Sequence, residues 1–214
     1  MIEEPKPACA RCPRLAAFRA ANRTRYADYF NAPVPSFGPL DARLLIVGLA
    51  PGLHGANRTG RPFTGDFAGD LLYATLARHG LACGTYDKRP DDGFRLSGVR
   101  IVNAVRCVPP ENKPTPAEIR TCRGFLVDEI AAMPRLRAIL ALGRIAFDSV
   151  LSALTAKKSA MPFVHGASYR IGKSALVCSY HPSRYNTNTG RLTPAMFDAA
   201  VGEAKRLAFA KETQ

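Results

Sequence analysis

Residues 44–72 read LLIVGLAPGLHGANRTGRPFTGDFAGDLL, and the order of residue types in this stretch decides the fold. Leu44 to Leu49 form an apolar run with the length and composition of a buried strand. Gly48, Pro51, Gly52, Gly55, Gly60 and Gly65 then punctuate a long polar loop. That loop carries His54, Asn57, Arg58, Arg61, Phe63 and Asp66. The apolar spacing Phe67, Leu71, Leu72, Leu76 predicts a helix after it. Open α/β sheets build ligand sites from this order of strand, Gly-rich loop and helix, at the carboxyl ends of their strands.

The same alternation continues along the chain. Val99–Val105 reads as a second strand with Asn103 near its end, Arg137–Leu142 as a third and Ser174–Tyr180 as a fourth. The fourth runs directly into His181-Pro182-Ser183 and a polar loop, RYNTNTGR. A helical piece is expected from Leu15 to Phe30. Further helices are expected after the capping box Thr115-Pro116-Ala117-Glu118, over Ile145–Leu154, and from Thr193-Pro194 through Ala210. Segment 84–97 reads as a surface connection, and short strands are expected around Phe163 and Tyr169. The prediction is a three-layer α/β sandwich, with a central, mainly parallel four-stranded sheet flanked by helices. No repeat or linker divides the chain, so residues 1–214 are read as one domain.

Composition narrows the functional classes. The chain has 214 residues, 47% of them hydrophobic, enough to bury one sizeable core. Thirty Lys and Arg face 17 Asp and Glu, a formal charge of +13, which favours a polyanionic partner, nucleic acid first. No apolar run reaches the roughly eighteen residues of a membrane span, and no secretion signal opens the chain. A cytoplasmic, monomeric protein is expected. Cys9 and Cys12 have metal-ligand spacing, and Cys107 and Cys122 flank a Pro-rich loop. Four thiolates in two such segments suit either a four-iron cluster or a zinc ion. Cys83 and Cys178 are read as buried free thiols, and His79 and His165 as surface or buttressing residues.

The polar groups that end strands one, two and four share one sheet edge if those strands are parallel, and so converge on one crevice. GLAPGLHGANRTGRPFTGD, IVNAVRC and HPSRYNTNTGRLT together resemble the uracil-DNA glycosylase superfamily, most closely its iron–sulfur branch, called family 5 or type b. The resemblance runs from Cys9 to Thr193. It implies a DNA-repair enzyme that flips a deaminated base out of DNA and hydrolyses its N-glycosidic bond. The base would be uracil, with hypoxanthine and xanthine in a broader range.

Residue by residue, the resemblance implies that Phe63 stacks on the base, Asn103 reads its Watson–Crick edge, and His181 stabilises the departing anion. The neighbourhood Gly48-Leu49-Ala50 lacks the carboxylate or amide of other branches, which leaves Asp66 to position a water. His54 and Asn57 either line the pocket or only hold the Gly-rich turn. Arg58, Arg61, Lys113, Ser183, Arg184, Tyr185 and Arg191 are candidates for DNA contact. Tyr185 or Arg184 is the candidate to fill the gap left by the flipped base. The resemblance also selects a [4Fe–4S] cluster over zinc on Cys9, Cys12, Cys107 and Cys122.

Each assignment has a structural counterpart. Asp66 suits a helix N-cap, Phe63 a core position, Asn103 a loop contact and His181 a buttress. Two rivals stand beside the main reading. One is a family 4 type glycosylase restricted to uracil, whose loop would read GEAPG. The other is a non-catalytic nucleic-acid-binding protein with a structural zinc.

Overall fold

The computed structural model describes residues 4–210; the first three residues of the N-terminal segment and the last four of the chain lie outside the described residues. Strands β1 (Leu44–Gly48), β4 (Val99–Asn103), β5 (Ala138–Leu142) and β7 (Ser174–Ser179) pair in parallel, in the order β4-β1-β5-β7. Each is buried along its whole length. That burial is why the sequence shows continuous apolar runs here rather than alternation.

The sheet has five strands, not the four expected. The fifth, β6 (Ser168–Ile171), pairs antiparallel with β7 at the edge. Its residues alternate between exposed and half-buried, so its apolar signal is too weak to mark a strand of the main sheet. Of the two short strands expected nearby, only the one around Tyr169 forms; Phe163 lies outside any strand. A two-strand ribbon, β2 (Ala82–Cys83) with β3 (Arg95–Leu96), brackets the polar excursion between them.

Helices cover both faces. Helices α3 (Phe67–Arg78) and α7 (Pro194–Phe209) place Leu72, Leu76, Phe197 and Val201 against Leu44, Ile46, Ile101 and Leu140. On the opposite face, α4 (Pro116–Ala131) and α5 (Arg144–Ala153) place Leu126, Phe147 and Val150 against Leu45, Val47, Val102 and Ile139. Alternate residues of β1 therefore feed two cores. The predicted capping box is present. Thr115 accepts from the Glu118 amide at 3.2 Å, and Glu118 reaches back to the Thr115 amide at 2.7 Å.

Helix α1 (Pro13–Arg25) stops short of the predicted Phe30. Asn31, in the left-handed region at φ 47°, donates its side-chain amide to the carbonyls of Asn22 and Tyr26, which folds the chain back. The loop expected after His181 is instead a short helix, α6 (Arg184–Asn188), started by the Ser183 hydroxyl accepting from the Asn186 amide. Among the described residues no helix is long and apolar enough to cross a membrane.

Candidate active site

The carboxyl ends of β1, β4 and β7 open onto one cavity of about 660 Å³. Leu49, Ala50, His54, Phe63, Asp66, Asn103, His181, Ser183 and Arg184 all line it. Phe63 and His181 lie 5.9 Å apart between ring centroids, with planes 27° from parallel. Gly48 stands behind this wall. A Cβ there would come within 2.4 Å of Asn103 Oδ1 and 2.5 Å of Phe63 Cζ. Glycine is thus required for the aromatic ring and the amide to meet over the end of β1.

The polar groups differ in environment. Asn103 is buried, with 4% of its surface exposed, at the last position of β4. His181 is half-buried in the cavity wall, and desolvation pushes its pKa down to about 4. Its imidazole is neutral at pH 7 and so keeps one N–H donor. Asp66 caps α3, accepting from the Gly69 amide at 2.9 Å. Burial raises its pKa despite that bond. A Cβ at Gly55 would meet Asp66 Oδ2 at 2.5 Å, so the loop glycine also makes room for the carboxylate.

Two expected site residues are placed elsewhere. Asn57 is fully buried and donates to Asn31 Oδ1 at 2.9 Å; it braces the loop and does not line the cavity. Arg61 does not face a duplex. Its guanidinium is 6% exposed and grips Asp92 through two 2.8 Å bonds. It lies over the rings of Phe37, Tyr73 and Tyr86. A basic residue in a basic loop looked available, but an acid 31 positions away claims it.

The other cations stay at the surface. Arg58 is exposed, Arg184 lies over Phe67 at 5.5 Å, and Lys113 is paired at 3.2 Å with exposed Glu111. Tyr185 projects with 72% of its surface exposed. Arg191 lies over Tyr180 in a neighbouring cavity of about 490 Å³, which shares Leu49 and His181 with the first and adds Arg144. Asn112 also lines the main cavity and was missed. Its only signal was a place in the Pro-rich loop that follows Asn103. His54 is exposed on the cavity rim, its Nδ1 3.0 Å from the Tyr29 hydroxyl.

The sequence profile of the Uracil DNA glycosylase superfamily matches residues 35–205. The chain belongs to this superfamily. It is 49% identical to the type-5 uracil-DNA glycosylase of Thermus thermophilus over 94% of both chains. It is 46% identical to the type-5 enzyme of Mycobacterium bovis over 94% of this chain and 78% of that one. Against the type-4 uracil-DNA glycosylase of Archaeoglobus fulgidus, identity falls to 34% over 70% of each chain. In both length and identity this uracil-DNA glycosylase superfamily member is more similar to these type-5 enzymes than to that type-4 enzyme.

Cys9, Cys12, Cys107 and Cys122 line one small cavity between α1 and α4. Arg19 donates to Cys107 Sγ at 3.0 Å, and the Arg106 amide donates to Cys122 Sγ at 3.4 Å. Donors aimed at sulfur suit thiolates, whose negative charge they offset. As free thiols, Cys12, Cys107 and Cys122 are pushed up chiefly by burial. Among the described residues, no three His, Cys, Asp or Glu side chains are drawn together tightly enough to hold a metal ion. The segment pairing is as expected, and the donor set fits a thiolate-held group. Cys178 is buried as expected, but Cys83 is exposed, because the ribbon that carries it packs Ala82 and Leu96, not Cys83, against the core. His165 is a buttress, with Nδ1 accepting from the Tyr180 amide at 3.1 Å. His79 lies 3.3 Å from Asp198 at the end of α3.

Proposed function

We propose that the chain is a monofunctional DNA glycosylase, acting as one catalytic domain, that removes uracil from DNA and leaves an abasic site. The convergence of Phe63, Asn103 and His181 on one cavity carries this reading. A base inside a duplex is out of reach, so it must be extruded, at a cost of a few kcal/mol of stacking. Phe63 offers the extruded ring a stacking face. The Asn103 amide presents a donor and an acceptor, matching the carbonyl and N–H of the uracil edge. The bond from C1′ to the base nitrogen breaks, and its electron pair leaves on uracil. The neutral His181 N–H donates to the oxygen where that charge gathers, an interaction typically worth ~10²–10³ in rate. Asp66 orients the water whose oxygen bonds to C1′ and takes up the proton that this water gives up, while the sugar carries cationic character.

Arg58, Arg184 and Arg191, with Arg144 beside them, hold the phosphates on either side, and Tyr185 or Arg184 fills the vacated space in the stack. Leu49 puts an apolar side chain where the type-4 loop would carry a glutamate. That exchange favours a less exacting pocket, extending the range to hypoxanthine and xanthine. The four cysteines hold a [4Fe–4S] cluster, which joins the N-terminal segment to the 107–122 loop. A structural zinc on the same thiolates, in a protein that binds DNA without cleaving, is the reading the cavity does not favour.

Incubation with duplexes containing uracil, hypoxanthine or xanthine, followed by alkali, tests this directly. Strand breaks at uracil are expected, falling by ~10²–10³ in His181→Ala. Binding without breaks, for every base, would overturn the assignment.

A further inference from the structure

The polar excursion between β2 and β3 has no place in the chemistry above, yet it reaches the turn that presents Phe63. Phe63 is held at φ 54°, in the left-handed region that an aromatic residue rarely adopts. Tyr86 from the excursion braces this turn on both sides: its hydroxyl donates to the Phe63 carbonyl at 3.3 Å and accepts from the Gly65 amide at 3.1 Å. The Tyr86 ring in turn packs 4.6 Å from that of Tyr73 and 5.8 Å from that of Phe94.

The excursion is itself tied down by a buried ion pair, with an exposed one, Lys88 to Asp70 of α3, beside it. Asp92 takes both arms of Arg61 and also accepts the amides of Asp87 and Phe94 at 3.0 Å. Arg61 continues into the Phe63 turn, donating to the Thr64 hydroxyl at 2.8 Å. Neither Tyr86, Asp92 nor Arg61 lines the cavity. Their contacts end on the backbone around Phe63, whose ring is a wall of it.

We propose that Tyr86, anchored through the Arg61–Asp92 pair, is a positioning residue that sets the angle at which Phe63 meets the extruded base. The inference rests on Phe63 being the stacking residue. An aromatic ring held in an unfavourable backbone conformation needs such an over-determined surround, because the turn would otherwise relax toward negative φ and carry the ring away from His181.

The test is a double-mutant cycle on the full-length protein, read as single-turnover cleavage of uracil-containing duplex at saturating protein. Tyr86→Phe keeps the ring packing and removes only the hydroxyl. It is expected to slow cleavage roughly 3- to 10-fold, the scale of one lost neutral hydrogen bond, while the melting temperature changes little. In a Phe63→Leu background, where no aromatic ring remains to be aimed, Tyr86→Phe should have no further effect. Asp92→Asn, which weakens the anchor, should show the same dependence on Phe63. Full activity of Tyr86→Phe, or an equal loss in both backgrounds, would overturn the positioning role. Full activity of Phe63→Leu would instead overturn stacking by Phe63, so the two failures are distinguishable.

Discussion

At the scale of single residues, the site is made by what glycines leave out and by what burial does to ionisable groups. Gly48 lets Asn103 and Phe63 close over the sheet edge, and Gly69 lets the Phe63 carbonyl approach so near that a Cβ would lie 1.6 Å from it. Asp66 combines two properties seldom found together, an N-cap bond and a place in the cavity wall. Its raised pKa means that the charged form is lost, on acidification, above the usual carboxylate range. Activity that needs the carboxylate should therefore decline on the acid side from above about pH 4. Asp66→Asn separates the two roles, because asparagine caps helices as well as aspartate does. The expected outcome is unchanged thermal stability, a rate lowered by ~10²–10⁴ and loss of the Asp66 contribution to the acid limb of kcat/KM, leaving only that of His181 at about pH 4. Wild-type kinetics from this variant would reduce Asp66 to a cap.

Among elements, a buried ion cluster joins α4 to β4 and the segment that follows it. Glu129 on α4 has no exposed surface and is gripped by Arg100, by Arg106 at 2.7 Å and by the Ser36 hydroxyl at 2.6 Å. Burial alone would raise its pKa, but the two guanidinium groups and the Ser36 hydroxyl outweigh that and hold it below the usual range. Arg106 precedes Cys107, Arg100 lies three residues before Asn103, and so the cluster ties the cavity's amide to the thiol-lined segment. Glu129→Ala would leave two buried guanidinium groups with only the more distant Glu4 carboxylate, 3.8 and 3.9 Å away. A loss of ~3–5 kcal/mol is expected, read as a lower urea midpoint. A variant of native stability would show that the arginines find other partners. This cluster was invisible in the sequence, since Glu129 sits on a helix that reads as ordinary amphipathic surface and its partners lie 23 and 29 positions away. The parallel strands, by contrast, were legible because each is buried on both faces and so written in unbroken apolar residues. Edge strand β6 was legible only as a short strand around Tyr169 and not as a member of the main sheet, because one side of it faces water.

For the whole molecule, the question is what holds α1 and the segment before it to the sandwich. Leu15 of α1 packs with Val105 and Phe125 in a small third core, together with Cys107 and Cys122. Arg14 reaches Glu118 of α4 with bonds of 2.8 and 2.7 Å, but half of that pair is exposed and adds little. A core this small needs a further tie, which the proposed cluster on the four cysteines would supply. The purified protein should then be brown, absorbing near ~400 nm and carrying about four iron atoms. Cys122→Ser should lose the colour, melt at a lower temperature and expose residues 4–25 to protease. Stoichiometric zinc in a colourless preparation would replace the cluster by a single ion.

The sequence by itself determined the layered α/β plan, the strands that carry the site, the capping box and the set of residues at the sheet edge. These follow from local periodicity and from chain order, which neighbours along the backbone are enough to encode. It could not tell which cations stay free, or which amide braces a loop and which lines the cavity. Arg61 and Arg58 occupy the same loop, yet only the fold brings Asp92 to one and leaves the other in water. Asn57 and Asn103 carry the same amide, yet Asn31 meets only the first. Long-range pairing of this kind depends on distances that exist only once the chain is folded. The tertiary structure alone therefore decided the final membership of the site and the support beneath Phe63.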